Sequence, residues 1–241
     1  MAAKMKSPSV LAPNGQKPGV PSRREREKVQ RREDLLRAAK KVFFKKGIHT
    51  ATIDDVAQEA EVGKGTVYLY FDTKETILAH LLLDGLEELV TYLKAAYAPD
   101  QKMAARTRLR RIAAAYLEFF QTYPEYYRLM MAFDRGHFQE TVDPEVYRQV
   151  HHRSLRGLEF LVRAVEQAKE EGVMDVDDTR HAASVLWAGL NGVLVLLSHP
   201  LRADIVASDL ESMYQSMIDV LIKGLKKHRV KNDERKVMSH V

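Results

Sequence analysis

The sequence contains no cysteine and only one tryptophan among its 241 residues. The absence of cysteine excludes disulfide frameworks, cysteine-ligated zinc or iron–sulfur sites and thiol catalysis, and it fits a cytoplasmic location.

Long apolar runs are also scarce. The stretch 182–198 contains no Lys, Arg, Asp, Glu or His over 17 residues and includes two glycines, two serines and an asparagine. It is shorter and more polar than a membrane span, so we predict a buried helix and no membrane partner.

Positive charge is concentrated at the two ends of the chain. Residues 1–32 hold nine Lys/Arg against two Glu, and residues 223–241 hold seven against two acidic residues, although the whole chain is only +5. A polyanionic partner is therefore expected to meet the ends of the chain. Residues 1–22, which contain four of the eight prolines, are predicted to form a disordered basic arm. Residues 229–241 are predicted to form a solvated basic tail.

Helical periodicity begins at Arg23 and continues through the rest of the chain, without strand-like alternation. We therefore predict an all-α fold of about nine helices. An N-terminal three-helix domain over 23–75 contains a helix-turn-helix, and a C-terminal helical domain spans 76–228. The predicted helices lie near 23–46, 52–60, 64–70, 74–97, 102–122, 124–133, 144–171, 178–198 and 205–228.

The helix-turn-helix is predicted over residues 52–71. Thr52 caps its first helix with Asp55 in capping-box position, and Gly63 is expected to supply an unusual backbone conformation in the turn. Small or aliphatic residues should face inward, so that the first helix can support the second in the major groove of DNA. These are Ile53, Val56, Ala57, Ala60, Val62 and Val67. Phe71 and Leu69 are likewise predicted to be core residues.

The second helix presents Lys64, Gly65, Thr66, Tyr68 and Tyr70 outward. Hydroxyl groups there can donate to phosphates, the threonine methyl can touch a thymine methyl, and a glycine permits close backbone approach. For the two tyrosines, packing between the third and fourth helices is the alternative interpretation. The basic start of the first helix, 23–32, is either a solvated helix end or an arm on DNA.

Two segments resemble TetR-family regulators. Residues 43–53, FFKKGIHTATI, look like the end of the first helix of that family, and residues 62–75, VGKGTVYLYFDTKE, resemble its most specific signature. The resemblance covers about residues 31–91. It implies that Thr66, Tyr68, Tyr70 and Lys74 occupy DNA-contacting positions, and Thr52, Lys64 and Gly65 complete the predicted set. The family usually has serine or a similar cap at position 64, so we predict that the third helix lacks a side-chain cap.

Similar regulators use their C-terminal part to dimerise and to bind a small effector. Here the helices near 178–198 and 205–228 are predicted to form a four-helix bundle with a second copy. Aromatic and methionine side chains with a few polar tips suit a pocket for an apolar effector, although each is also a candidate core residue. The predicted pocket residues are Tyr116, Phe120, Tyr127, Met130, Trp187 and Asn191. Lesser candidates are Phe119, Tyr123, Tyr126, Met131 and Phe133, with His137, His151 and His152 as polar contacts or surface residues.

The sequence carries no motif of an enzyme. It lacks a Gly-rich phosphate loop, a nucleophile elbow and the Glu-x-x-His repeats of a di-iron bundle, and no metal or cofactor is expected. We predict a homodimeric regulator, a repressor that binds a palindromic operator and is released by a small molecule. The alternatives are an activator and a protein–protein interaction module with a non-functional helix-turn-helix. The fourth helix is predicted to transmit the signal between the domains.

Overall fold

A computed structural model describes residues 22–135, 138–206 and 208–225, with the side chains of 134, 135, 138 and 139 left aside. All regular secondary structure in these ranges is helical. The expected arm (apart from Ser22), the tail and His137 lie outside the described residues. The helices are α1 (Arg23–Lys46), α2 (Ile53–Glu59), α3 (Lys64–Tyr68), α4 (Lys74–Tyr97), α5 (Ala105–Thr122), α6 (Pro124–Arg135), α7 (Phe138–Thr141), α8 (Pro144–Glu170), α9 (Thr179–Leu197), α10 (Pro200–Val206) and α11 (Leu210–Gly224).

Local capping chemistry explains where most helices begin and end. Thr52 and Asp55 form the predicted capping box at α2. Thr73 accepts from the Thr76 N–H at the start of α4, and Asp143 caps α8. Gly47 ends α1 with a φ of 91°, a conformation that favours glycine. These contacts join residues two to four positions apart, so sequence alone predicts them.

The turn between α2 and α3 is built differently from the prediction. Glu61, not Gly63, has the left-handed conformation, with φ of 55°, whereas Gly63 is extended with φ of −72°. The Glu61 N–H donates to the Gln58 carbonyl at 3.2 Å, and the Val62 N–H donates to the Ala57 carbonyl at 3.0 Å. This pair of bonds is a Schellman motif, which places its left-handed residue directly after the helix cap. Gly63 is instead the N-cap of α3, which makes no side-chain capping bond.

Helix α4 organises the packing of the whole chain. It packs against α1 at one end and against α5, α6, α7 and α8 along its length. Thirteen of its 24 residues are buried. Helices α8 and α9 pack together, and α9 packs against α11, so the core continues without interruption from Leu35 in α1 to Ile222 in α11.

Eleven helices occur in the described ranges, instead of about nine, because two short ones were not predicted. The first is α7. The second is α10, which Pro200 opens, since proline is favoured in the first turn of a helix as well as after its end. The uncharged stretch forms α9, the one described helix that is long and apolar enough to cross a bilayer. Six of its residues lie in the core, at positions 182, 183, 186, 190, 193 and 194.

Candidate nucleic-acid interface and ligand site

Helix α3 is anchored on one face and exposed on the other. Val67 is fully buried, and Phe71, just beyond the helix, is 1% exposed. Elsewhere on the helix Lys64 and Gly65 are exposed and Thr66 is half-buried. Tyr68 is 44% exposed. A short helix held in this way presents its outer side chains in a fixed arrangement.

Side chains of α1 and α4 hold the segment after α3 through Phe71. The Arg32 guanidinium, from α1, lies 5.0 Å from the Phe71 ring centroid and donates to His80 Nε2, on α4, at 2.6 Å. The Phe71 and His80 rings meet edge to face at 5.8 Å. Burial and the Arg32 charge lower the pKa of His80 to about 4, against the opposing influence of Asp143. The imidazole is therefore neutral near pH 7 and accepts the arginine bond.

Leu69 is the main residue that the sequence interpretation misplaced. We predicted a core position, but the side chain is 79% exposed. Helix α3 ends at Tyr68, so Leu69 is its C-cap residue and points away from the buried Val67. An exposed leucine beside the exposed Tyr68 forms an apolar patch at the end of α3. We predicted a helix that continues to Tyr70, which placed Leu69 on the buried face. The patch was therefore not predicted.

The cations near α3 are already engaged within the protein. The Lys64 ammonium donates to Asp54 Oδ2 at 2.8 Å, and this pairing raises the pKa of Lys64. Lys46 donates to Asp55 at 2.6 Å, which lowers the pKa of Asp55 to about 2, together with the Thr52 capping bonds. Lys64 is the first residue of α3 and not its cap. The side-chain cap is indeed missing, but because Gly63 occupies the cap position.

Lys74 has a structural role that the sequence did not indicate. Its ammonium donates to the Ala51 carbonyl at 2.7 Å and lies 5.5 Å from the Phe43 ring centroid, and burial lowers its pKa. This side chain ties the start of α4 to the segment that follows α1. Any phosphate contact at position 74 therefore requires either rearrangement of this side chain or use of the backbone N–H groups at the start of α4.

The remaining predicted contacts occupy different environments. Tyr70 is half-buried and packs against the core. The Thr52 hydroxyl is used in the capping box. A Cβ built on Gly65 would meet nothing within 4 Å, so no packing within the chain requires glycine there. At the start of α1, Arg23 pairs with Glu27, whereas Arg24, Arg26, Lys28 and Arg31 are exposed.

Five of the six predicted pocket residues fall into two groups, and Met130 belongs to neither. Tyr116, Trp187 and Asn191 form a hydrogen-bonded array: Trp187 Nε1 donates to the Tyr116 hydroxyl at 3.3 Å, and this hydroxyl donates to Asn191 Oδ1 at 2.9 Å. Phe120 and Tyr127 line a cleft of about 990 Å³. Met130 is half-buried against the core and does not line the cleft.

Tyr126 of α6 connects the N-terminal helix α1 with the C-terminal helices. Its ring is 4% exposed, meets Phe44 of α1 edge to face at 5.3 Å, and stacks on Phe119 of α5 at 6.2 Å. A Cβ added to Gly85 of α4 would lie 2.4 Å from this ring. Glycine at 85 thus permits the close approach of α4 and α6. Tyr126, a lesser pocket candidate, is a core residue at this junction.

This architecture defines the class: a helical protein with an N-terminal helix-turn-helix whose second helix is partly exposed, followed by a larger helical bundle. Residues 35–81 match the family described as bacterial regulatory proteins, tetR family, and residues 109–221 match the tetracyclin repressor-like C-terminal domain. The chain belongs to the TetR family of bacterial transcriptional regulators.

Individual relatives share only part of their sequence with this chain. The chain is 31% identical over 121 residues to the HTH-type transcriptional activator FasR of Mycolicibacterium smegmatis, matching 50% of this chain and 52% of FasR. The match thus spans about half the length of that relative. Among solved structures, PfmR from Thermus thermophilus is similar with a TM-score of 0.59 and 22% identity, over 80% of this chain and 99% of that one. FadR from Bacillus subtilis, solved with stearoyl-CoA, has a TM-score of 0.61 and 18% identity, over 80% and 98%. At these identities the two structures support the fold alone.

Proposed function

We propose that this protein is a cytoplasmic, ligand-responsive transcriptional regulator that binds a palindromic operator as a homodimer. The exposed face of α3 is the observation that carries the proposal. Tyr68 and Leu69 are 44% and 79% exposed, while Val67 between α3 and the core is fully buried. An exposed aromatic side chain beside an exposed aliphatic one forms an apolar patch, and such patches are typical of surfaces that bind a partner.

In the proposed complex α3 lies in the major groove. The Thr66 methyl and Leu69 are placed for contact with thymine methyl groups, and the Tyr68 hydroxyl is placed for a phosphate. Lys64 exchanges its carboxylate partner Asp54 for a phosphate. The exposed arginines of α1 add sequence-independent attraction, which salt weakens.

The outer faces of α9 and α11 are the proposed dimer interface. Trp187 on α9 and Val220 on α11 are 46% and 66% exposed. A Cβ on Gly192 would meet nothing within 4 Å, so that face of α9 is open, whereas Gly189 is already packed on Met217 and Leu221 of the same chain. Two copies joined here would form a four-helix bundle, and their α3 helices would meet half-sites about 34–36 Å apart.

The cleft beside Phe120 and Tyr127 is the proposed effector site. Its volume of about 990 Å³ is at the upper end of the range of ligand pockets. A ligand there touches both the start of α4 and the C-terminal helices, so its binding would change the orientation of α3. The stearoyl-CoA complex of FadR supports ligand binding by this fold, although the identity is too low to transfer the ligand.

Repression is the proposed sign of control, with release of the operator when the effector binds. Because FasR is named an activator, the reporter assay has to distinguish the two signs. An operator placed across a promoter should lower reporter output when the protein is present. Output that rises with the protein would favour activation instead.

Selection of random duplex DNA on the purified full chain tests the proposal directly. We expect an enriched palindrome, and fluorescence anisotropy on it should give about 10- to 100-fold weaker binding for Tyr68→Ala. Thr66→Ala should weaken binding about 5- to 10-fold. Thr107→Ala on the exposed face of α5 is the matched control and should bind as the parent does.

Two results would refute the proposal. If no sequence is enriched, the helix-turn-helix is not a DNA reader, and the interaction-module alternative takes its place. If Tyr68→Ala and Thr66→Ala bind the enriched palindrome as tightly as Thr107→Ala, α3 is not the recognition element. Light scattering at micromolar concentration measures the dimer independently of both.

A further inference from the structure

The 990 Å³ cleft is shared between the helix-turn-helix half of the protein and the C-terminal bundle. One wall is the end of α1, the segment after it and the start of α4. The opposite wall is the end of α5 with α6, together with the end of α9, α10 and the start of α11. The lining residues fall within four stretches, 43–50, 74–78, 120–132 and 194–202, together with Leu210.

The interior of the cleft is apolar. Phe43, Leu78, Phe120 and Leu194 contribute to its lining, and each is less than 7% exposed. The Phe120 ring meets Tyr127 edge to face at 5.1 Å, which fixes an aromatic wall. Such surfaces favour the alkyl chain or ring system of a ligand.

The charged lining has an excess of cations. Four of its side chains are Lys or Arg and two are Glu, with His49 and His199 in addition. The cations differ in how far they are neutralised. Lys46 pairs with Asp55, Arg128 pairs with Glu125 at 3.3 Å, and Lys74 is held by the Ala51 carbonyl with Glu75 nearby.

Arg202 is the exception among these cations. Among the described residues its guanidinium forms no ion pair and no side-chain hydrogen bond, and it lies on the exposed helix α10 beside His199. A guanidinium presents parallel N–H donors that match the oxygens of a carboxylate or phosphate. Arg202 is therefore the group in the cleft best able to bind an anion.

We propose that the cleft binds an amphipathic anion, with its apolar part against Phe120 and Leu194 and its carboxylate or phosphate on Arg202. This inference rests on the proposed effector site and adds the chemical class of the ligand. The proposal also explains how ligand binding affects the helix-turn-helix half of the protein. A ligand held by α10 at one end and packed on Phe43 and Leu78 at the other sets the distance between the two halves of the protein.

Displacement of N-phenyl-1-naphthylamine, a neutral fluorescent probe of apolar sites, tests the class of ligand on the DNA-free protein. Decanoate, decyl phosphate and 1-decanol each contain a chain of ten carbons, and the two anions separate a carboxylate from a phosphate head. We expect at least one anion to bind about 10-fold or more tightly than decanol, because a charged hydrogen bond adds to the same apolar contact.

Arg202→Gln should remove this preference and leave decanol binding unchanged. Arg180→Gln, at the far end of α9 and outside the cleft, is the matched control and should retain the preference. Ala132→Phe fills the cleft from α6 without leaving a hole in the core, and should weaken all three ligands about 10-fold or more. Circular dichroism melting of each variant verifies that the fold is intact.

Equal binding of decanol and both anions would overturn the proposal, and so would an anion preference that survives Arg202→Gln. Unchanged binding to Ala132→Phe would place the ligand elsewhere and also overturn it. The operator assay is separate. Arg202-dependent anion binding by a protein that enriches no DNA would refute the proposed function alone, whereas operator binding without any anion preference would refute this ligand class alone.

Discussion

Replacing Gly85 with alanine places a methyl group where the Tyr126 ring already lies. The added Cβ would be 2.4 Å from Cδ1 and 2.7 Å from Cγ of that ring, whereas ordinary contacts begin at 3.4 Å. The ring or its helix must therefore move by about 1 Å to accommodate the methyl group. Gly85 is buried in the interior of α4, so solvent offers no alternative position.

The ring has little freedom to move. It contacts Phe44 on α1 and Phe119 on α5, and the Lys40 ammonium lies 5.3 Å from its centroid. Overpacking of this kind costs about 1–3 kcal/mol. Alanine returns up to about 1 kcal/mol through its higher helix propensity. We expect Gly85→Ala to lower the free energy of unfolding by about 1–2 kcal/mol, measured by urea denaturation followed by circular dichroism.

Gly157→Ala is the matched control, because Gly157 also lies inside a long helix. A Cβ there would meet only Leu93 Cδ1, at 3.6 Å, which is an ordinary contact. The propensity gain then has no opposing clash, and stability should rise by about 0.5–1 kcal/mol. Both variants have to be compared at one protein concentration, since dimerisation contributes to apparent stability. Equal stabilisation by the two substitutions would refute the close packing of α4 on Tyr126.

Three further substitutions test other parts of the molecule. Between pH 6.5 and 4.5 the free energy of unfolding of the parent protein should fall by about 1–2 kcal/mol more than that of His80→Gln. Stability falls as the pH drops because only the imidazole of the unfolded chain takes up a proton at its ordinary pKa. Partial solvent exposure of His80 roughly halves the effect. Lys74→Met should lower the free energy of unfolding by about 1–2 kcal/mol in urea, because the Ala51 carbonyl loses its donor. Val220→Arg should halve the mass seen by light scattering, because two like charges would meet in the proposed interface.

Each of these has an outcome that contradicts it. Parallel pH profiles for the parent and His80→Gln would mean that the His80 pKa is not depressed. A Lys74→Met variant as stable as the parent would remove the structural role of that ammonium. Val29→Arg, at another exposed apolar position, controls for Val220→Arg; a dimer that survives both changes is not formed through the outer face of α11.

Several features of the fold could be predicted because their causes lie close together in the sequence. The Thr52–Asp55 capping box, the cap at Asp143 before Pro144 and the helix end at Gly47 each depend on residues within about four positions. The order of the residues in 62–75 was likewise enough to indicate the family. Tyr68 was predicted to face outward on α3, with packing between helices as the alternative, and it is exposed.

The errors have a common physical origin. Leu69 was assigned to the core because apolar residues usually lie inside, but burial depends on which helix lies opposite, and α3 ends at Tyr68, two residues before its predicted end. The DNA contact of Lys74 stays a prediction, but the bond of its ammonium to the Ala51 carbonyl was missed because that carbonyl is 23 positions away. The left-handed residue of the turn was assigned to Gly63 because glycine adopts that conformation most easily, whereas the Schellman bonds require it at position 61.

The sequence by itself determined the helical class, most helix boundaries and the family, because these depend on local chemistry and on the order of residues. Tertiary structure decided which of those helices share a site. The cleft draws on four separate stretches between residues 43 and 210, and the contact of Tyr126 with Gly85 joins α6 to α4. Such contacts depend on how helices pack after folding, and no spacing along the chain specifies them.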